Sequence, residues 1–441
     1  MAAPLLEIES SAALPHAADA VVIGGGIVGS CAAYYLARRG LRVALVEKGR
    51  IGAEQSSRNW GWCRQQNRDA RELPLARASM ALWSRLAADI GEDPGFRRTG
   101  LLYLSQSEEE IAGWARWCDF ARGLGVPTEI LSAKMASERG VATGREWRGG
   151  VFASTDGIAD PAKAAPVIAR AVMKAGGSVH QFCAARGLET NAGHVCAVVT
   201  EKGVIKTKIA VMAGGAWASS FCRTLGVDLP QASVRSSILS IVPGAQGLPA
   251  ALHTSQVSLT ARGDGGYTLA ISGRANLDPT IQTLRYAPAF ASMFSKRWRS
   301  LRPGGMEALR TGHERWRGWK LDAPTPMEAC RILDPKPNQA LIHETYKRAQ
   351  SLLPALKNWP IQAAWAGYID SMPDGIPAIG PIPAISGLIL AAGFSGHGFG
   401  IGPGAGHLVA DIATGETLLV DPHVYKPDRF AGSAGGKVAD F

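Results

Sequence analysis

The sequence predicts an α/β chain, α+β overall, that combines a Rossmann-type nucleotide-binding domain with an antiparallel-sheet domain. Three observations carry this. Residues 20–47 read as strand, glycine-rich turn, helix, strand and closing acid. Residues 388–411 read as a second strand feeding a glycine-rich turn and a helix. Between them, stretches such as Ser236–Val242 and Gly266–Ser272, the latter after the turn Gly263-Asp-Gly-Gly266, alternate as half-buried strands do.

In chain order, Ala20-Val-Val-Ile23 is a short β-branched run suited to a buried strand. It leads into Gly24-Gly-Gly26-Ile-Val-Gly29, then a helical Ala/Leu-rich stretch, Ser30–Arg39, stopped by Gly40. Leu41–Val46 is the next strand, and Glu47 closes it. Gly24 permits the tight turn, Gly26 lets a pyrophosphate reach the backbone, and Gly29 lets the helix lie close on the strand. The helix start offers N–H groups and a positive dipole to phosphates, and Glu47 can accept from ribose hydroxyls. Further on, Val204–Trp217 reads as one strand ending in Ala213-Gly-Gly-Ala-Trp217, and Leu388–Gly406 as a strand and turn facing an electron-rich partner.

The chain has 441 residues, which favours about two domains, with 46% hydrophobic and 19% charged residues. Met1–Ala18 and Lys426–Phe441 lack apolar periodicity and read as tails. The formal charge is +10, but its basic residues are scattered, so nucleic acid is not the expected partner, while an anionic membrane surface or acidic partner subunit stays open. Seven cysteines without a CxxC pair indicate neither a disulfide framework nor a zinc site, and no metal is expected. The N-terminus shows no basic n-region of a secretory signal, so the expected location is the cytoplasm, with peripheral contact at the inner face of the membrane left open. The eighteen apolar residues Ala20–Ala37 belong to the glycine motif rather than to a membrane span.

Six motifs taken together resemble the FAD-dependent amine and D-amino-acid oxidoreductases, the family of glycine oxidase, sarcosine oxidase and D-amino-acid dehydrogenase. They are GGGIVG with Glu47, GAEQSSRNWGW (52–62), DGIADP (156–161), AGGAW (213–217), WAGYIDSMPDGIPAIG (365–380) and AAGFSGHGFGIGPGAG (391–406). The resemblance implies interleaved domains: FAD-binding over about 19–90, 155–222 and 365–425, substrate-binding over about 91–154 and 223–364. It places Gly24, Gly26, Ile27, Val28 and Gly29 at the pyrophosphate, and Glu47 with Lys48 at the adenosine ribose. Gln55, Ser56, Trp60, Gly61 and Trp62 fall in the loop along the flavin edge, and Ala185 where backbone meets adenine. Gly214 and Trp217 of the AGGAW motif join the cofactor set, and Phe394, Ser395, Gly396, His397, Gly398, Phe399 and Gly400 wrap the isoalloxazine. Family members with covalent flavin use a cysteine or histidine in the segments matching 365–372 and 52–62; neither is present, so FAD is expected to be non-covalent.

The implied chemistry is hydride removal from the C–H bond beside a neutral amine to flavin N5, followed by imine hydrolysis, with oxygen or a quinone as electron acceptor. The substrate is a small amine or amino acid. Where carboxylate-gripping members present an arginine after the tryptophan and glycine, this chain holds Tyr368-Ile369-Asp370, and a second arginine of glycine oxidase matches Gly396. Either another cation takes the carboxylate, with Arg58, Arg64, Arg235 and Arg262 as candidates, or the substrate carries a cationic or neutral distal group read by Tyr368 or Asp370. Trp60 and Trp62 are candidate walls for a larger substrate. His397 is a pocket candidate that either acts chemically or only packs. A tRNA-modifying flavoprotein and a non-catalytic FAD-binding assembly subunit are the alternatives.

Overall fold

The computed structural model describes residues 3–242, 247–305, 318–430 and 438. A six-stranded sheet lies at its centre, in the order Ala378–Pro381, Leu388–Ala392, Ile209–Met212, Ala20–Ile23, Val43–Val46, Ser178–His180. All neighbours are parallel except the edge strand Ala378–Pro381, so the strands are apolar on both faces and buried, as sandwiched parallel sheets require. The helix Ile27–Arg38 packs on this sheet and against the C-terminal helix Gly398–Thr414. The two helices approach so closely that a Cβ on Gly406 would come 2.4 Å from Cys31 Cβ. A three-stranded meander, Ala185–Asn191, His194–Thr200 and Gly203–Lys206, lies beside the sheet.

A larger sheet of ten strands runs from Leu301–Pro303 to Glu129–Leu131. It is mostly antiparallel, with two parallel joins, Ala251–His253 to Leu101–Ser105 and Ala275–Leu277 to Leu301–Pro303. Its long central pair is Ala232–Ile241 with Ile361–Ser371. That strand is unbroken across 365, so a domain division placed there falls inside one strand of the larger sheet.

Two readings of the sequence need correction. Val204–Trp217 is not one strand: Gly203–Lys206 ends the meander, and the chain then passes through Thr207, whose hydroxyl donates to Asp19 O and Ile209 O, into Ile209–Met212 of the parallel sheet. The N-terminal segment is not a loose tail. Leu6 N donates to Ala162 O at 2.9 Å, Ser11 N to Val179 O at 2.7 Å and Ala18 N to Lys206 O at 3.0 Å, while Leu6 and Ile8 pack on the core. Backbone pairing, which needs no apolar period, holds it. At the other end Arg429 pairs with Asp374 at 3.0 Å, and the tail positions 431–437 and 439–441 lie outside the described residues.

Candidate active site

One cavity of about 1170 Å³ runs from the first glycine turn to the junction with the larger sheet. Its first end is lined by Gly24, Gly26, Ile27 and Val28, so the N-terminus of a twelve-residue helix opens onto it, and that helix has no acid in its first turn to oppose a phosphate. Gly24 has φ +108°, and a Cβ there would lie 2.4 Å from Ala213 O, which leaves only glycine at this turn. Gly29 faces away from the cavity; its hypothetical Cβ would come 1.9 Å from Gly24 O, the close helix–strand approach expected of it. Glu47 lines the cavity, and its oxygens accept from Gly25 N and Gly49 N at 2.7 Å each; burial nevertheless pushes its carboxyl up, with Lys48 opposing. Ala185, Gly214 and Trp217 complete this part of the wall.

Several expected cofactor residues have a different local role. Lys48 lines the cavity and directs its ammonium at Glu54 and at the carbonyls of Cys330 and Arg331, 4.5 Å over the Trp217 ring, so its charge is already partnered within the protein. Ser56 Oγ accepts from Ile27 N at 2.8 Å and ties its loop to the helix start, with Gln55 beside it on the cavity wall. Gly61 and Gly400 do not line the cavity. Gly61, at φ +81°, lies against Ala159 O, and Gly400 O accepts from Ser79 Oγ and Trp83 Nε1, fixing the C-terminal helix. Phe394, Ser395, Gly396, His397, Gly398 and Phe399 do line it.

The far end is aromatic and cationic. Trp60 and Trp62 meet edge to face at 5.0 Å, and Trp62, Tyr103 and His253 form a cluster with centroids 5.1–6.2 Å apart. Burial, then Arg64, pushes His253 down to about 4, so it is neutral at pH 7. Arg64 Nη1 donates to Gln66 O at 3.1 Å and to Tyr103 Oη at 3.2 Å, and the guanidinium lies 6.0 Å from the Trp62 ring. Behind this wall, Glu72 is fully buried; His397 Nδ1 lies 2.9 and 3.2 Å from its two oxygens, and Arg68 Nη1 lies 3.6 Å from it. Burial would raise Glu72, but His397 and Arg68 hold it below its ordinary value. Burial and then Arg68 hold His397 low.

The other cation candidates are withdrawn by their bonding. Arg58 donates Nε to Ala53 O and Nη1 to Ala366 O and Asp334, a buried brace between loop and strand rather than a substrate clamp. Arg235 forks onto Asp278 and reaches Lys336 O, and Arg262 pairs with Asp264 in its own turn. Tyr368, Ile369 and Asp370 all line the cavity. Ile369 pairs with Val234 across the strands, whereas the polar atoms of its two neighbours are already engaged: Tyr368 Oη donates to Asp278, and Asp370 accepts from Gly393 N and Gln231 Nε2, which weighs against their reading a substrate's distal group.

Arg68, Tyr103, His253 and Glu72 were not singled out from the sequence. Only Arg68 and Glu72 left a signal, an i, i+4 pair at the start of the helix Leu73–Ile90. Tyr103 and His253 arrive from separate strands, which no local pattern joins.

The sequence model of the family described as FAD dependent oxidoreductase matches residues 19–412. The chain belongs to this family. A glycine oxidase of Geobacillus kaustophilus is 26% identical over 96% of this chain and the whole of that protein. Among solved structures, L-amino acid deaminase from Proteus myxofaciens, in complex with anthranilate, superposes with TM-score 0.92 at 28% identity, covering 98% of this chain and 97% of that one. L-proline dehydrogenase from P. horikoshii gives TM-score 0.77 at 28% identity, covering 95% and 98%. As an FAD-dependent oxidoreductase the protein uses FAD, and its residues fit that group. The glycine turn at Gly24 and Gly26, the acid-free helix start and Glu47 suit the nucleotide half. At the other end lie the wrap 394–399 and the start of the seventeen-residue helix Gly398–Thr414. The volume exceeds the roughly 300–1,000 Å³ of an ordinary ligand pocket, which suits a dinucleotide plus substrate.

Proposed function

We propose that this FAD-dependent oxidoreductase oxidises the C–N bond of an amino acid, giving an imine that water hydrolyses. The observation that carries the reading is the single cavity joining the dinucleotide turn to the Trp62–Tyr103–His253 wall. It is supported by relatives whose names are those of amino-acid enzymes, and by Asp370, the acid beside Ile369 on the cavity wall, whose carboxyl is already taken by Gly393 N and Gln231 Nε2.

FAD, when bound, supplies the hydride acceptor. The chain supplies position and charge. Aromatic rings of Trp60, Trp62 and Tyr103 exclude water from one side, and Ile369, Val234 and Ile238 line the sheet face on the other. The Arg64 guanidinium disfavours the ammonium form of a nearby substrate, which favours the neutral amine that hydride loss requires. The nucleotide unit, on this reading, comprises 19–90, 155–222 and 372–425, with Ile361–Ser371 kept whole in the substrate unit. Non-covalent attachment is supported by Cys63, which is fully buried outside the cavity lining with its thiol raised by burial, and by Cys330, whose Sγ is turned to Ile332 O.

Electrons then pass to oxygen or to a quinone. Among the described residues no helix is long and apolar enough to cross a membrane. Exposed Phe294 and Trp298, set among Lys296, Arg297 and Arg299, support peripheral contact with an anionic membrane. The test is turnover of a panel of D- and L-amino acids with a dye acceptor. Formation of one 2-oxo acid and one ammonia or amine per acceptor reduced is expected; no oxo acid from any member of the panel would overturn the reading.

A further inference from the structure

Arg68 is a buried cation with an unmet hydrogen-bonding demand. Its side chain is 4% exposed and lines the cavity, its Nε and Nη1 have no hydrogen-bond partner among the described residues, and its nearest acid, Glu72, stands at 3.6 Å. A guanidinium in that position asks for an acceptor. Two further donors share the wall. Trp62 Nε1 is buried without a partner, and Arg64, held by Gln66 O and Tyr103, has no acceptor for its Nε or Nη2 among the described residues. Two acids lie behind: Glu72 faces His397, and Asp156 accepts from the backbone N–H groups of Gln65 and Gln66; neither lines the cavity. Asp69 does line it, but its carboxylate accepts from the backbone N–H and the guanidinium of Arg71. The wall therefore offers donors and positive charge in one place.

We propose that Arg68, seconded by Arg64, receives the carboxylate of the substrate, which makes the substrate an amino monocarboxylate rather than a polyamine. Arg68 stands two side chains from the Gly396–His397 turn, through Glu72, and so delivers a guanidinium to a site where Ile369 and Gly396 provide none. A planar fork and a carboxylate match in shape, and the pairing is charge-assisted. Glu72 stands behind Arg68 and competes with the ligand for the same charge. The inference rests on the amino-acid reading above, yet its test reads binding and not turnover, so the two can fail separately.

The experiment titrates the oxidised holoprotein with benzoate and, in parallel, with benzamide, following the flavin absorbance. Benzoate is expected to perturb the flavin. Arg68→Met is expected to raise its Kd about 100-fold, with the FAD content and the response to benzamide unchanged, and Arg68→Lys should recover part of the affinity. Glu72→Gln removes the competing acid and is expected to tighten benzoate by about three- to tenfold, a gain that a damaged fold does not produce. Benzoate binding that is equal in wild type and Arg68→Met, or absent from wild type, overturns the proposal. So does an Arg68→Met protein that shifts the flavin potential while binding benzoate normally, which would assign the guanidinium to the cofactor. Should Arg68→Met not retain FAD, Glu72→Gln decides: unchanged or weaker benzoate binding counts against Arg68.

Discussion

Asp370→Asn should leave the protein more stable at neutral pH and flatten its pH dependence. The Asp370 carboxyl is 1% exposed and accepts from Gly393 N at 2.9 Å and Gln231 Nε2 at 3.1 Å on the same oxygen. Burial pushes it from 3.8 up to about 6, against the hydrogen bonds from Gly393 and Gln55. At ~1.36 kcal/mol per unit, holding the ionised form in the fold at pH 7 costs roughly 3 kcal/mol. The folded value lies above the unfolded one, so the folded chain binds more protons between them. The stabilisation is complete below pH 3.8 and is lost as pH rises through about 6. An asparagine oxygen placed where that carboxylate oxygen lies keeps both bonds, and the amide meets Gln55 once that side chain turns over, while the interaction of the carboxylate with the backbone N–H of Phe394 is lost. Allowing for weaker neutral hydrogen bonds, the gain at pH 7 is about 1–3 kcal/mol. Urea unfolding of both holoproteins from pH 5 to 8 measures it. The difference between them should grow as pH rises from 5 to 7. Asp156, which burial also raises to about 6, is common to both and cancels. A variant about 2 kcal/mol less stable at pH 7, or a difference flat with pH, would refute the reasoning.

Arg58→Ala should cost roughly 2–4 kcal/mol in stability, because two buried hydrogen bonds and a half-exposed ion pair to Asp334 are lost, while the Kd for benzoate changes less than about threefold; a large rise in Kd at unchanged stability would return Arg58 to the substrate site. Gly29→Ala forces a Cβ to 1.9 Å from Gly24 O and should lower the FAD-to-protein absorbance ratio of purified protein severalfold; full occupancy would contradict the close packing. Acid precipitation should release all flavin into the supernatant, and flavin remaining in the pellet would show a covalent bond.

The nucleotide half was legible because its signal is local. Gly24, Gly26, Gly29 and Glu47 sit within one strand–helix–strand unit, where each residue answers a steric or dipolar demand made by its neighbours. The substrate half was legible only in part. Ile369 supplies no cation to the cavity wall, and the partners that engage its neighbours Tyr368 and Asp370, namely Asp278, Gln231 and Gly393, come from separate segments of the chain. Arg58 stood in a recognisable motif, yet its partners Asp334 and Ala366 come from distant segments, so composition alone did not distinguish a brace from a clamp. Arg68 lies just past the motif, and nothing in its local sequence marks it as a cavity residue. Its burial beside Tyr103 and His253 is set by the larger sheet.

Anaerobic mixing of the holoprotein with single candidate substrates, following the flavin absorbance in a stopped-flow instrument, tests the central claim most directly. Amino acids bearing one free carboxylate should bleach the flavin at rates that saturate with concentration, and their amides and the polyamines should not. Bleaching by polyamines alone, or by no amine at all, would contradict the assignment of this cavity to amino-acid oxidation.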